Sequence, residues 1–172
     1  MPIGAVLDQL ELASPQVRAL AEFYAASFGL EAKFSGDGAI CAAPARVLRL
    51  TNGPVNKLLS ARFRFHNLED FNAFAARLDQ QNISVTRSGS DAEPRLKLVD
   101  PDGRELQFRL SKPEDADAAA ATDARLQHFA VRTPDPESLV SFYVETLDFA
   151  ASDFVRDEEG VLRAAFIRSD DE

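Results

Sequence analysis

An internal repeat constrains this 172-residue chain more than any other feature of its sequence. At an offset of 119 residues, the separation of Gln9 from His128, Leu7 meets Leu126, Pro15 meets Pro134 and Leu20 meets Leu139. Phe23-Tyr24 meets Phe142-Tyr143, and Ala32 meets Ala151. No gap is needed from the first strand to the end of the helix after it. Self-similarity of this kind calls for a modular architecture. One difference inside the repeat matters for chemistry: His128 has no histidine counterpart, because Gln9 stands in the first copy.

The first copy opens with a predicted strand over residues 5–12. Ser14 is a good N-cap, and Pro15 sits where a missing N–H costs nothing. The helix then runs to about Phe28, with Val17, Leu20, Ala21, Tyr24 and Phe28 forming an apolar stripe. Gly29 suits the left-handed stop. Strands follow near 31–35, 39–43 and 46–51, closed by Thr51-Asn52-Gly53-Pro54. The same order then recurs. A strand over Leu59–Phe65 alternates Ala61, Phe63 and Phe65 with Arg62 and Arg64. Asn67 caps a helix over Leu68–Gln80 whose stripe is Phe71, Phe74, Ala75 and Leu78. Strands near 83–87, 94–99 and 104–110 complete the unit. Asp100-Pro101-Asp102-Gly103 is a hairpin turn in which proline presets φ and glycine takes the left-handed position. Residues 1–110 therefore hold two βαβββ units in tandem.

Residues 111–124 have no apolar periodicity beyond alanine and are expected to be a surface linker. The third copy begins with a predicted strand over Leu126–Pro134, placing His128, Ala130 and Arg132 on one face and Phe129 and Val131 on the other. A stop at 133–137, an aromatic-rich helix, and strands near 150–155 and 161–168 follow. Residues 125–172 are thus expected to be the first half of a second module whose partner half lies beyond Glu172.

The net charge of −9 and the lack of a basic run argue against a nucleic-acid partner. Cys41 is the single cysteine, which excludes an intrachain disulfide or a cysteine-cluster metal site. No leader pattern opens the chain and no apolar run approaches membrane-span length, so a cytoplasmic setting without membrane contact is expected. There is no nucleophile elbow, phosphate loop or dinucleotide fingerprint.

Paired βαβββ units resemble the vicinal oxygen chelate superfamily of glyoxalases, bleomycin-resistance proteins and extradiol dioxygenases, which makes the expected fold class α+β. His128-Phe129-Ala130-Val131 with Pro134-Asp135-Pro136-Glu137 and Phe142-Tyr143 is similar to that family's metal-binding first strand and helix. Asp100-Pro101-Asp102-Gly103-Arg104-Glu105-Leu106-Gln107-Phe108 resembles its closing hairpin. Two tandem modules, the second carrying metal, look most like a type I extradiol ring-cleavage dioxygenase, in which two His and one Glu hold Fe(II). The resemblance implies that His128 is the first metal ligand, with the other two beyond Glu172 and this chain inactive by itself. In the first module the ligand positions map to Gln9, Ser60 and Gln107, which are poor iron ligands, so residues 1–110 are expected to be a metal-free scaffold. The implied partners are a catechol-like aromatic substrate and O2, with homo-oligomerisation possible through the half-module. The alternatives are a glyoxalase-like isomerase or lyase, and a bleomycin-resistance-like binding protein without catalysis.

Other candidates take plainer roles. His66 falls at a strand–helix junction. Glu105 shares a face with Gln107 and is expected to be salt-bridged or solvated. Tyr24 and Tyr143 are repeat-equivalent, which favours packing over acid–base work. Cys41 is a small core residue, and Asp170-Asp171-Glu172 an acidic end.

Overall fold

The computed structural model describes residues 3–112 and 126–170; most of the predicted linker, residues 113–124, lies outside the described residues, as do Asp171 and Glu172. The elements are β1 (Ala5–Ser14), α1 (Val17–Phe28), β2 (Glu31–Ser35), β3 (Gly38–Ala43), β4 (Arg46–Asn52), β5 (Lys57–Phe65), α2 (Leu68–Gln80), β6 (Thr86–Ser90), β7 (Glu93–Val99) and β8 (Glu105–Leu110). They are followed by α3 (Pro136–Ser141), a π-helical turn (Phe142–Thr146), β9 (Ala150–Arg156) and β10 (Leu162–Arg168). The protein is α+β, as expected.

Strands β1 to β8 form one sheet in the order β2-β3-β4-β1-β5-β8-β7-β6. Each unit repeats one pattern: its first strand runs parallel to its last, β1 with β4 and β5 with β8. The two units meet where β1 and β5 pair antiparallel at the centre. Alternation along the strands sends Leu7, Leu10, Phe63, Phe65, Leu96, Leu98, Leu106 and Phe108 to one face, where they are buried with Phe71, Phe74 and Leu78 of α2. The opposite face is polar. Asn67 caps α2 as predicted, its side chain accepting from the Asp70 amide at 2.9 Å.

The third unit adds to the same core, which continues into Leu139, Tyr143, Leu147 and Phe149. Phe149 meets Phe63 edge-to-face at 5.4 Å. Arg77 of α2 donates to the carbonyls of Glu145 and Thr146, at 2.7 and 3.1 Å. Among the described residues, strands β9 and β10 pair only with each other, and just past β10 the Ser169 carbonyl accepts from the Gly4 and Ala5 amides at 2.9 and 3.2 Å.

Three expectations are corrected. Leu126–Thr133 is not a strand. Its repeat-equivalent β1 owes its ladder to β4 and β5, and no counterpart of either lies among the described residues of the third unit, so its backbone has nothing to pair with. Ser14 is not the N-cap of α1. It ends β1, paired with Asn52, and its hydroxyl accepts from the Gln16 amide at 3.0 Å instead. The strand placed at 83–87 sits at Thr86–Ser90 as a fully exposed edge, while Ile83 and Val85 leave the ladder to pack against the core.

Candidate functional site

His128 is exposed, in the unpaired segment between the linker and α3. The predicted two-faced pattern survives without the strand from His128 to Arg132, while Leu126, on the His128 side by alternation, turns to the core. Leu126, Phe129 and Val131 pack against the core, while His128, Ala130 and Arg132 face solvent. The imidazole is therefore turned away from the core, available to whatever approaches that side. Among the described residues no group of three or more His, Cys, Asp or Glu side chains could hold a metal ion. Imidazole is the right donor type for a divalent metal, but the described residues do not complete a ligand set around His128.

The corresponding positions of the first sheet contain different chemistry. Gln9 lies opposite Arg62, and Arg62 lies opposite Gln107. Arg62 rather than Ser60 therefore occupies the middle of this row; Ser60 sits one step along, level with Glu11 and Glu105. The register shift between Leu7 and Gln9 is a β-bulge, which sets two residues of β1 against one of its partner. It brings Asp8 onto the polar face with Gln9. The Asp8 carboxylate, 5% exposed as a residue, accepts from Arg62 Nε at 2.7 Å and from Arg109 Nε at 2.9 Å, with Arg109 Nη2 also donating. Next to it, Glu11 accepts from Thr51 Oγ1 at 2.8 Å and Ser60 Oγ at 3.1 Å. Glu105 is salt-bridged to Lys97 at 3.0 Å and accepts from Gln107, as its plainer reading held. The row that would carry ligands is spanned instead by a guanidinium locked to an internal carboxylate. Sequence alone gave no signal for the bulge that recruits Asp8.

A second polar cluster joins the third unit to the first sheet. It was only half visible in sequence, as the hairpin turn. Gly103 takes φ +82°, and the buried Asp100 carboxylate accepts from the backbone amides of Asp102 at 3.0 Å and Arg104 at 2.9 Å. Arg104 donates to Asp100 Oδ2 at 2.9 Å, Asp102 Oδ2 at 2.8 Å and the Arg132 carbonyl at 3.0 Å. Thr133 Oγ1 donates to Asp102 Oδ1 at 3.1 Å, and Tyr143 Oη donates to Asp100 Oδ2 at 3.3 Å. Burial, then the Asp100 charge, pushes the Tyr143 phenol far above its ordinary value. Its hydrogen-bonded, desolvated position makes it a packing and anchoring residue. Tyr24, its repeat partner, packs against Phe28 on α1 with the rings tilted and their centroids 5.6 Å apart.

The remaining candidates sit where expected. His66 is exposed between β5 and α2. Cys41 is fully buried, its thiol 3.7 Å from the Ala21 carbonyl and its pKa raised by burial. Among the described residues no helix is long and apolar enough to cross a membrane.

Residues 125–172 match the family model of the Glyoxalase/Bleomycin resistance protein/Dioxygenase superfamily. No curated protein matches the sequence. Among solved structures, a catechol 2,3-dioxygenase superposes with a TM-score of 0.72 at 17% identity, covering 97% of this chain and 68% of its own. BphC, a halotolerant catechol dioxygenase, gives 0.72 at 18%, covering 95% and 61%. A homoprotocatechuate 2,3-dioxygenase from Brevibacterium fuscum, in complex with 3,4-dihydroxyphenylacetate, gives 0.67 at 22%, covering 98% and 57%. The chain thus has the fold of the vicinal oxygen chelate superfamily and spans between about half and two thirds of the length of these ring-cleaving enzymes.

Proposed function

From a chain with the vicinal oxygen chelate fold, we propose that it serves as part of a metal-dependent extradiol-type dioxygenase, opening a catechol-like aromatic ring with O2. The carrying observation is that the fold match to extradiol enzymes spans the first sheet and the third unit together, at 95 to 98% of this chain. On this reading residues 1–110 are the scaffold module. A guanidinium and its carboxylate stand where ligands would, and a cation at that place opposes a second cation. Residues 125–172 are the first half of the metal-carrying module, and His128 is one imidazole donor to Fe(II). The metal would bind the vicinal oxygens of the ring and O2.

The test is the intact mass of the natural gene product, with metal analysis of anaerobically purified protein. The expected result is a product well beyond 172 residues with about one iron per chain, lost in His128→Ala. A 172-residue product without stoichiometric metal would overturn the reading. Small-molecule binding indifferent to a chelator would then mark a bleomycin-resistance-like binding protein, and metal-dependent isomerisation of a non-aromatic substrate a glyoxalase-like enzyme.

A further inference from the structure

We propose that the Asp100–Arg104 turn is a latch that positions the His128 segment, with Arg104, Asp102 and Thr133 as its positioning residues. That His128 is worth positioning rests on the proposed function; the latch itself rests on geometry.

The segment needs such a device. Leu126–Thr133 has no ladder to hold it, and an irregular segment fixed by apolar contacts alone can slide along its axis. Its apolar side is seated by Leu126, Phe129 and Val131. Its register is set at the other end, where two consecutive residues are gripped by different groups: the Arg132 carbonyl by Arg104 Nη2 and the Thr133 hydroxyl by Asp102 Oδ1. Tyr143 reaches the same Asp100 from α3's continuation, so the exit of the segment is held from two sides.

The latch is rigid on the sheet side. The side chain of Asp100 is fully buried and that of Arg104 is 11% exposed. Their forked contact also spans Asp102, which a guanidinium achieves and an ammonium does not. His128 lies four residues upstream, roughly 13 Å along an extended chain. A slip of one residue at the latch would therefore turn the imidazole to the opposite side.

The experiment uses the 172-residue chain and its two histidines. In Arg104→Ala, the His128 ring resonance is expected to sharpen and move toward its random-coil position while that of His66 stays. Native-state tryptic cleavage after Arg132 should accelerate roughly ten- to hundredfold, the loss of the one charge-assisted hydrogen bond that Arg104 gives the segment. Cleavage after Arg163 in β10 should be unchanged. Arg104→Lys should restore at most part of the effect. Arg77→Ala, which removes the guanidinium's two hydrogen bonds to the π-turn carbonyls and leaves only Gln81's to Glu145 among the described contacts, should speed cleavage in the third unit without moving the His128 resonance. Unchanged His128 and Arg132 in Arg104→Ala would overturn the proposal, and so would both histidines and all sites changing together. None of these readouts involves metal, so failure here leaves the dioxygenase reading to its own test.

Discussion

Replacing Asp8 tests whether the polar face of the first sheet is a structural network. The carboxylate side chain is 6% exposed and binds two guanidiniums, Arg62 at 26% and Arg109 at 15% exposure. Removing one member of a buried ion pair leaves uncompensated charge and costs about 3–5 kcal/mol. Partial exposure of both arginines lets water screen them, which brings the expectation for Asp8→Ala to about 2–3 kcal/mol. For a chain of this size that corresponds to a fall in Tm of roughly 4–12 °C. The assay is thermal and urea unfolding followed by far-UV circular dichroism. Glu11→Gln is the matched control, because Glu11 accepts from two neutral hydroxyls and should cost less than about 1 kcal/mol. The sign can be checked with the triple variant Asp8→Leu, Arg62→Leu, Arg109→Met, which should be more stable than Asp8→Ala, since the charges are removed with their partner. A Tm for Asp8→Ala within about 2 °C of the wild type would refute the reasoning.

Two other outcomes follow from the docking of the third unit. The Tyr143 phenol is raised above its ordinary value of 10.0 by burial and by Asp100, so above that pH the unfolded chain gives up a proton that the folded chain keeps. The stability it contributes is full below pH 10.0 and is lost as pH climbs beyond it; phenolate absorbance in an alkaline titration should therefore show one tyrosine ionising only with unfolding, an effect absent in Tyr143→Phe. Phe149→Ala removes a 5%-exposed ring packed on Phe63 and Tyr143. It should cost about 3–5 kcal/mol, read by urea denaturation, and an effect below about 1 kcal/mol would mean that the third unit does not share the core.

How much of this was legible depended on whether the signal was local. The helix over Leu68–Gln80 was readable to its ends because Asn67 caps it and four apolar residues at helical spacing face the core. The hairpin at Asp100–Gly103 was readable because proline and glycine each fit one turn position. The β10 strand was equally plain. What failed needed knowledge of a distant partner. Residues 126–133 have strand composition, yet a strand exists only when a neighbour accepts its hydrogen bonds. The Asp8 bulge is a mismatch between two strands, and neither sequence contains it alone. Similarly, Arg104 and Thr133 lie 29 residues apart, brought together through Asp102 and the Arg132 carbonyl.

The repeat itself shows how tertiary context divides two similar sequences. Gly29 at φ +65° ends α1, and its equivalent Asp148 ends the third unit's helix at φ +64°, so the left-handed stop is kept although glycine is not. Asp tolerates that conformation better than most side chains. Upstream, the helices part company. α1 stays regular, whereas the third unit widens after Ser141 into a π turn in which the Leu147 amide donates to the Phe142 carbonyl at 3.0 Å. The widened turn delivers the Glu145 and Thr146 carbonyls to Arg77, and within it Tyr143 reaches Asp100. α1 receives a single arginine contact, from Arg46 Nη1 to the carbonyl of its last residue, Phe28, at 3.3 Å, and Phe23 and Phe28 remain about half exposed. Docking, rather than local propensity, accounts for the difference between the two helices. The same docking holds the His128 segment in place without a sheet to join.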